Sequence, residues 1–125
     1  MDEYRAAVAA VPDGAKLIIG GKSMGGRFAS MVADEAGVRG LACLGYPFHP
    51  PGQPAKLRVA HLEHLKTPAV FVQGTRDPFG TPEELERWTA TIPAPVTLHW
   101  ITGGHDLKGK NAEVASVVSD WASAL

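Results

Sequence analysis

Ser23 stands in a segment of the 125-residue sequence that fits nucleophilic chemistry. The pentapeptide Gly-Lys-Ser-Met-Gly at residues 21–25 follows an apolar run and precedes a helical pattern. A serine on a sharp strand-to-helix turn, with small neighbours, is the nucleophile position of the G-x-S-x-G pattern. The backbone N–H of Met24, at the start of that helix, would then point toward a developing oxyanion. The segment therefore predicts acyl transfer at Ser23.

Asp77 and His105 supply the two other groups that a serine nucleophile needs. Asp77 follows the apolar run at residues 69–73, and His105 follows the run at residues 96–101. Either residue alone would be an ordinary turn residue. Together with Ser23 they occur in the order Ser, Asp, His, each just beyond a different predicted strand. Because histidine can take the serine proton and a carboxylate can orient the histidine, we predict a catalytic triad.

The elements that position these residues alternate along the chain. Apolar runs predict strands at residues 16–20, 41–46, 69–73 and 96–101, the last half-exposed or at an edge. Helical spacing or helix signals occur at residues 2–11, 24–36, 57–65 (weakly), from Thr81 onward, and 114–125. This order predicts one α/β domain over residues 1–125, a mainly parallel four-stranded sheet with helices on both faces. The loops that follow parallel strands meet at one end of the sheet.

Composition excludes several other classes of protein. The 12 Lys plus Arg residues nearly balance the 13 Asp plus Glu residues, so we expect neither a nucleic-acid nor a membrane-surface partner. No apolar run approaches the roughly 20 residues of a membrane span. The single cysteine, Cys43, lies within a predicted strand and excludes an internal disulfide. It is interpreted as a buried small side chain, and a reducing, cytoplasmic location is expected.

Cofactor and metal sites are not expected either. Gly-Lys-Ser at residues 21–23 also ends the phosphate-binding P-loop pattern, but that pattern requires glycine at position 16, where this chain has Lys16. His61 and His64 flank a glutamate without a third ligand nearby, which favours a solvated turn over a metal site.

Two further groups of residues allow more than one interpretation. Tyr46, Phe48 and His49 follow the second strand at the same end of the sheet, and either wall an acyl pocket or form a proline-stiffened loop. Lys22 and Arg76 would favour an acidic substrate, although such side chains more often form local salt bridges.

The motifs at residues 21–26, 72–80 and 103–107 resemble the nucleophile elbow, acid loop and histidine loop of the α/β-hydrolases. The resemblance covers nearly the whole chain and is nearest to the small dienelactone-hydrolase-like branch, with serine in place of that branch's cysteine. It implies that Ser23 is the nucleophile, His105 the base and then the acid, and Asp77 the orienting carboxylate. Met24 would supply one oxyanion N–H. The implied activity is hydrolysis of small esters or related carbonyl substrates through an acyl-serine intermediate.

The same resemblance implies that the chain corresponds to the carboxyl-terminal half of the fold. Members of the family usually have about eight strands with the serine after the fifth, whereas Ser23 follows the first. No residue here matches the second oxyanion donor, and the run from Lys16 to Gly20 becomes an open apolar edge. We therefore expect a homodimer that pairs through this strand. Two functions stay open: a serine hydrolase, or a weakly active or inactive half-fold that acts as a dimerising structural module.

Overall fold

A four-stranded parallel sheet organises the fold, which the computed structural model describes over residues 2–53 and 58–125. The strands lie in the order β1 Ile18–Lys22, β2 Gly40–Leu44, β3 Ala69–Gly74 and β4 Val96–Ile101. The α-helices are α1 Asp2–Ala9, α2 Met24–Ala36, α3 Pro82–Thr89 and α4 Asn111–Ser123. Every strand pair is parallel, so the predicted fold class is confirmed.

The helices lie on both faces of the sheet, as predicted. On one face α1, α2 and α3 pack against strand residues that include Leu41 and Phe71. On the other face α4 packs through Trp121 and its neighbours against Val70 and Val72. Successive side chains of a strand point to opposite faces, so each strand contributes to both cores. The almost unbroken apolar runs in β2 and β3 follow from this two-sided burial.

Three strands differ from their predicted bounds, β3 only by extending one residue further to Gly74. The strand predicted at residues 16–20 begins and ends two residues later as β1, because the 3₁₀ helix Gly14–Lys16 precedes it and pairing with β2 continues through Lys22. The strand predicted at residues 41–46 is the shorter β2, because Gly45 adopts a φ of 64° and turns the chain out of the sheet.

The helix signals in the sequence correspond to observed ends. Gly37 ends α2, and Thr81 begins α3 with a reciprocal capping box to Glu84. The weak turn predicted at residues 57–65 is the 3₁₀ helix Ala60–His64, while residue 57 itself lies outside the described residues. Within the part of the chain that the structure describes, no helix is long and apolar enough to cross a membrane.

The first and last strands are the two edges of the sheet. The edge position of β4 confirms what its alternating pattern predicts. The edge position of β1 leaves one side of that strand without a neighbouring strand among residues 2–53 and 58–125, as the family resemblance implies. Since Ser23 directly follows β1, the nucleophile candidate lies at this open side of the sheet.

Candidate active site

Ser23 occupies a strained turn between β1 and α2. Its φ of 54° and ψ of −121° are unusual for a residue with a side chain and cost about 1–3 kcal/mol. The surrounding backbone holds this conformation: the Ser23 N–H donates to the Leu44 carbonyl at 2.8 Å, and the Arg27 N–H donates to the Ser23 carbonyl at 3.2 Å. The strain places the serine at the tip of the turn, as a nucleophile elbow requires.

Glycines flanking Ser23 allow α2 to lie very close to the sheet. A Cβ atom added to Gly26 would lie 2.7 Å from the Gly21 carbonyl oxygen and 3.4 Å from the Cα atom of Cys43. A Cβ atom on Gly21 would lie 2.5 Å from the backbone of Gly25. No side chain fits at these distances, so Gly21 and Gly26 are required by the close packing between helix and sheet, whereas a Cβ atom on Gly25 would meet nothing within 4 Å.

The side chains of Ser23, His105 and Asp77 form a continuous hydrogen-bonded row. Ser23 Oγ lies 2.8 Å from His105 Nε2, and His105 Nδ1 lies 2.8 Å from Asp77 Oδ2. The three residues come from positions 23, 77 and 105 and meet because each follows a parallel strand. The His105 side chain is 20% exposed and the Asp77 side chain is fully buried. A half-buried nucleophile, a partly exposed base and a buried carboxylate form the arrangement that acyl transfer uses.

Two residues that the sequence analysis did not assign complete the surroundings of Asp77. Gln73 Nε2 donates to Asp77 Oδ2 at 3.0 Å, and the Phe79 N–H donates to Asp77 Oδ1 at 2.8 Å. The Phe79 ring also stacks on the His105 ring, with 4.2 Å between centroids. The signal for Gln73 was present in the sequence, because a buried amide within an otherwise apolar strand must find partners.

The model of the family described as an alpha/beta hydrolase domain matches residues 1–125, the whole chain. The chain belongs to the alpha/beta hydrolase family. Membership of the dienelactone-hydrolase-like branch and correspondence to the carboxyl-terminal half of the fold both stay predictions.

Solved structures with the same fold include three hydrolases. A monoacylglycerol lipase from Paleococcus ferrophilus has a TM-score of 0.79 and 12% identity, over 98% of this chain and 73% of the lipase. An esterase from Pyrococcus furiosus has a TM-score of 0.77 and 16% identity, over 98% and 60%. An esterase domain from a Rhodothermus marinus protein has a TM-score of 0.74 and 20% identity, over 96% and 66%. At these identities the likeness shows the fold, and this hydrolase domain spans 60–73% of the three neighbours' lengths.

The predicted pocket residues of this hydrolase domain lie in the core beneath the site. Tyr46 and Phe48 are completely buried and pack on each other and on Phe71. His49 is also buried, and its Nε2 atom lies 2.7 Å from Glu84 Oε2. Gln73 connects this segment to Asp77: its Oε1 atom accepts from the Tyr46 N–H at 2.9 Å, and its Nε2 atom donates to Asp77 Oδ2. A role in an acyl pocket therefore stays a prediction for these three aromatic residues.

Two other sequence interpretations have clear outcomes in the hydrolase domain. Cys43 is fully buried, as predicted, and burial raises the pKa of its thiol. His61 is not in a solvated turn: it is partly buried, and its Nε2 atom lies 2.7 Å from Ser30 Oγ. The interpretation was wrong because α2 packs against the 3₁₀ helix that carries His61, a contact between distant parts of the sequence. No trio of His, Cys, Asp or Glu side chains that could hold a metal is found within residues 2–53 and 58–125.

Two cavities of the hydrolase domain lie away from the Ser23–His105–Asp77 row. One of about 330 Å³ lies between α1 and the carboxyl end of α2, near Val8 and Ala36. Another of about 380 Å³ lies between β4 and α4, near His99 and Trp121. Neither contains paired nucleophilic and basic groups, so cavity volume does not mark the candidate site. Side-chain chemistry and geometry mark it instead.

Replacing Gln73 by leucine is expected to destabilise the protein without altering its fold. Leucine is similar in size to glutamine but has no polar atoms. The substitution therefore leaves the buried Tyr46 N–H without its acceptor and removes one donor to Asp77. An unsatisfied buried donor costs about 1–3 kcal/mol, so the free energy of unfolding in urea should fall by about that amount. Gln53→Leu, at an exposed position, serves as the matched control and should change it by less than about 0.5 kcal/mol. Equal midpoints for Gln73→Leu and wild type would contradict the role of this amide.

Proposed function

We propose that this protein is a serine hydrolase that cleaves small esters or related carbonyl compounds through an acyl-serine intermediate. The observation that carries the proposal is the Ser23–His105–Asp77 row, with 2.8 Å at each contact. Ser23 is the nucleophile, His105 the base and then the acid, and Asp77 orients His105. The family membership and the fold shared with esterases and a lipase support the same reaction class.

Acylation begins when His105 Nε2 removes the Ser23 hydroxyl proton as Ser23 Oγ attacks the substrate carbonyl carbon. The carbonyl oxygen becomes an oxyanion, and His105 becomes an imidazolium whose Nδ1–H faces Asp77 Oδ2. The Asp77 carboxylate holds this orientation and stabilises the positive charge. His105 then gives its proton to the leaving alcohol, and the acyl group stays on Ser23.

Deacylation repeats these steps with water. His105 takes a proton from water, the resulting hydroxide attacks the acyl carbon, and Ser23 Oγ leaves with the proton that His105 returns. The Met24 N–H, at the first position of α2, donates to the oxyanion in both halves of the reaction, aided by the helix dipole. We assign no second donor among residues 2–53 and 58–125, and one donor in place of two lowers the expected rate by about 10²–10³-fold. We therefore infer that this enzyme is slow. We also propose that it belongs to the dienelactone-hydrolase-like branch and works in a reducing compartment such as the cytoplasm, where the buried Cys43 stays a thiol.

Labelling with a fluorophosphonate tests the activated nucleophile directly. The reagent phosphonylates a serine only when a neighbouring base activates it, so mass spectrometry should find the adduct on the peptide that contains Ser23. Ser30, a buried serine that also lies beside a histidine, is an internal control and should stay unlabelled. Absence of an adduct on Ser23 in folded protein would favour the alternative, a structural half-fold without catalysis.

The open edge of β1 supports a second proposal, a homodimer that pairs through residues 16–20. Alternate residues of β1 bond to β2, so Ile18, Gly20 and Lys22 direct their backbone groups to the free side. The Tyr4 hydroxyl of α1 donates to the Gly20 carbonyl at 3.2 Å and covers one of these acceptors. The remaining groups can pair with a second copy of the strand, in the isologous manner of two-fold dimers.

Static light scattering at micromolar concentration should return about twice the mass of the 13.2 kDa chain. Ile18→Lys places a charge on the free edge, which opposes strand pairing, and should shift the protein toward monomer. Ala115→Lys introduces the same side chain on the exposed surface of α4 and should leave the mass unchanged. A monomeric wild-type mass would overturn the dimer and leave the hydrolase proposal unaffected.

A further inference from the structure

Two arginines lie beside the nucleophile elbow and take no part in the proposed mechanism. Arg27 belongs to the first turns of α2, four residues after Ser23, and helical side chains lean toward the amino end of their helix. Arg58 arrives from the segment that connects β2 to β3, and its Nη1 atom lies 3.5 Å from Met24 Sδ. The Arg58 guanidinium therefore lies against the Met24 side chain, and the helix position of Arg27 directs its side chain toward the end of α2 that begins after Ser23.

Neither arginine is neutralised by a carboxylate. No Asp or Glu oxygen lies within salt-bridge distance of Arg27 or Arg58 among the described residues, and residues 54–57 contain no acidic residue. The Arg27 Nε atom is buried and has no hydrogen-bond partner in that same part of the chain. A buried guanidinium N–H without an acceptor is costly, and an anion would supply the acceptor.

A buried polar network holds the backbones of both arginines. Ser30 Oγ donates to the Arg27 carbonyl at 2.6 Å, and the Tyr46 hydroxyl donates to the Arg58 carbonyl at 2.7 Å. His61 Nε2 lies 2.7 Å from Ser30 Oγ and 3.3 Å from the Tyr46 hydroxyl oxygen. Because the Ser30 hydroxyl has already given its proton to a carbonyl, the Nε2–H of His61 donates to Ser30 Oγ, the nearer of the two oxygens.

This network adds no negative charge to offset the arginines. Burial lowers the pKa of His61, and the charge of Arg27 lowers it further, so the imidazole is neutral near pH 7. Burial raises the pKa of Tyr46, although the nearby charges of Arg27 and Arg58 act in the opposite direction. The Tyr46 phenol therefore keeps its proton. The network is neutral and leaves two uncompensated positive charges next to the elbow.

We propose that Arg27 and Arg58 form an anion-binding subsite beside Ser23, which holds a carboxylate or phosphate group of the substrate. This inference rests on the proposed hydrolase function and names its substrate class: esters whose acyl or alcohol part carries an anionic group. The planar guanidinium presents paired N–H groups that match the oxygens of such anions. Lys22 and Arg76, which the sequence analysis considered for an acidic substrate, take no part in the subsite.

Two matched substrates test the preference. Mono-4-nitrophenyl glutarate carries a free carboxylate at the end of its acyl chain, and 4-nitrophenyl pentanoate has an acyl chain of the same length without charge. Wild-type protein should have the higher kcat/KM for the glutarate ester. Arg27→Gln and Arg58→Gln should each lower that value about tenfold, the effect of losing one charged hydrogen bond of about 1.4 kcal/mol. Their kcat/KM for the pentanoate ester should stay within about twofold of wild type.

Arg87→Gln is the matched control, because Arg87 is exposed on α3 over the Trp88 ring and carries the same charge. It should leave the ratio of the two kcat/KM values unchanged. Arg27→Lys keeps the positive charge but lacks the planar guanidinium group. It is used if Arg27→Gln fails to show a cooperative thermal transition, and an intermediate decrease in kcat/KM for the glutarate ester is then expected. A ratio that is the same in wild type, Arg27→Gln and Arg58→Gln would overturn the subsite while leaving the hydrolase proposal intact.

Calorimetric titration separates the subsite from catalysis. Ser23→Ala protein is titrated with glutarate and, separately, with inorganic phosphate; binding of either that is lost in Ser23→Ala/Arg27→Gln supports the subsite. Stronger binding of glutarate identifies a carboxylate, and stronger binding of phosphate identifies a phosphate ester or phosphorylated acyl group. If wild type hydrolyses neither ester, the proposed function fails and this titration alone decides the subsite. Absence of binding by both anions would overturn it.

Discussion

Ser23→Ala is expected to lower the kcat for hydrolysis of 4-nitrophenyl acetate by about 10³–10⁴-fold. Removal of the nucleophile from a serine protease with a complete oxyanion hole lowers kcat by about 10⁶-fold. Among the described residues we assign only the Met24 N–H as an oxyanion donor, and with a single donor the expected starting activity is about 10²–10³-fold lower. The remaining factor of about 10³–10⁴ is the decrease in kcat that we expect when alanine replaces Ser23. Initial rates at pH 8 under saturating substrate, corrected for spontaneous hydrolysis, provide the measurement.

Ser23→Gly controls for the backbone at this position. Alanine keeps the strained φ of 54°, whereas glycine adopts it freely. Relief of about 1–3 kcal/mol of strain exceeds the roughly 0.5–1 kcal/mol of backbone entropy that glycine costs. We therefore expect Ser23→Gly to be as inactive as Ser23→Ala and at least as stable toward urea.

These two variants distinguish chemistry from folding. Loss of activity in a variant that unfolds no earlier than wild type assigns the loss to the missing hydroxyl. If both variants hydrolyse the ester at the wild-type rate, the serine mechanism is wrong and the alternative of a structural half-fold is favoured. If the activity came from a contaminating enzyme, its loss on fluorophosphonate treatment would not follow the fraction of Ser23 that is labelled.

The parts of the site that could be predicted from sequence are those with local signals. Ser23 lies in a glycine-rich segment in which Gly21 and Gly26 are required by the approach of α2 to β1 and β2. Asp77 and His105 follow strands, and a parallel sheet brings such positions together whatever their separation in sequence. Parallel strand order and residue order were therefore sufficient to place these three residues near one another.

Residues whose role depends on packing between distant segments could not be predicted in the same way. Gln73 contacts Asp77 only because β3 is buried and the segment after β2 supplies Tyr46 as a second partner. His61 looked like a turn residue because its contact with Ser30 joins positions 31 residues apart. The ends of β1 and β2 also depended on ladder pairing, which hydrophobic runs do not encode residue by residue.

Asp77→Asn is expected to lower kcat by about 10³–10⁴-fold, close to the effect of losing the serine. Asp77 accepts hydrogen bonds on both oxygens, from the Phe79 N–H on Oδ1 and from Gln73 and His105 on Oδ2. An asparagine has only one oxygen, so its NH₂ group must face a donor in either orientation. Facing Phe79, it removes a backbone contact; facing His105, it forces the imidazole into the tautomer that cannot accept the serine proton.

Both orientations also remove the negative charge that stabilises the imidazolium, so the catalytic loss does not depend on which one is adopted. The buried mismatch between donors should lower the free energy of unfolding by about 1–3 kcal/mol as well. Asp106→Asn is the matched control, because Asp106 is exposed next to His105 and its carboxylate accepts only from the Lys108 N–H among the described residues. We expect its kcat within about twofold of wild type. An Asp77→Asn protein with more than about a tenth of wild-type activity would show that His105 works without its carboxylate. The row of contacts at 2.8 Å would then be a structural feature rather than a catalytic one.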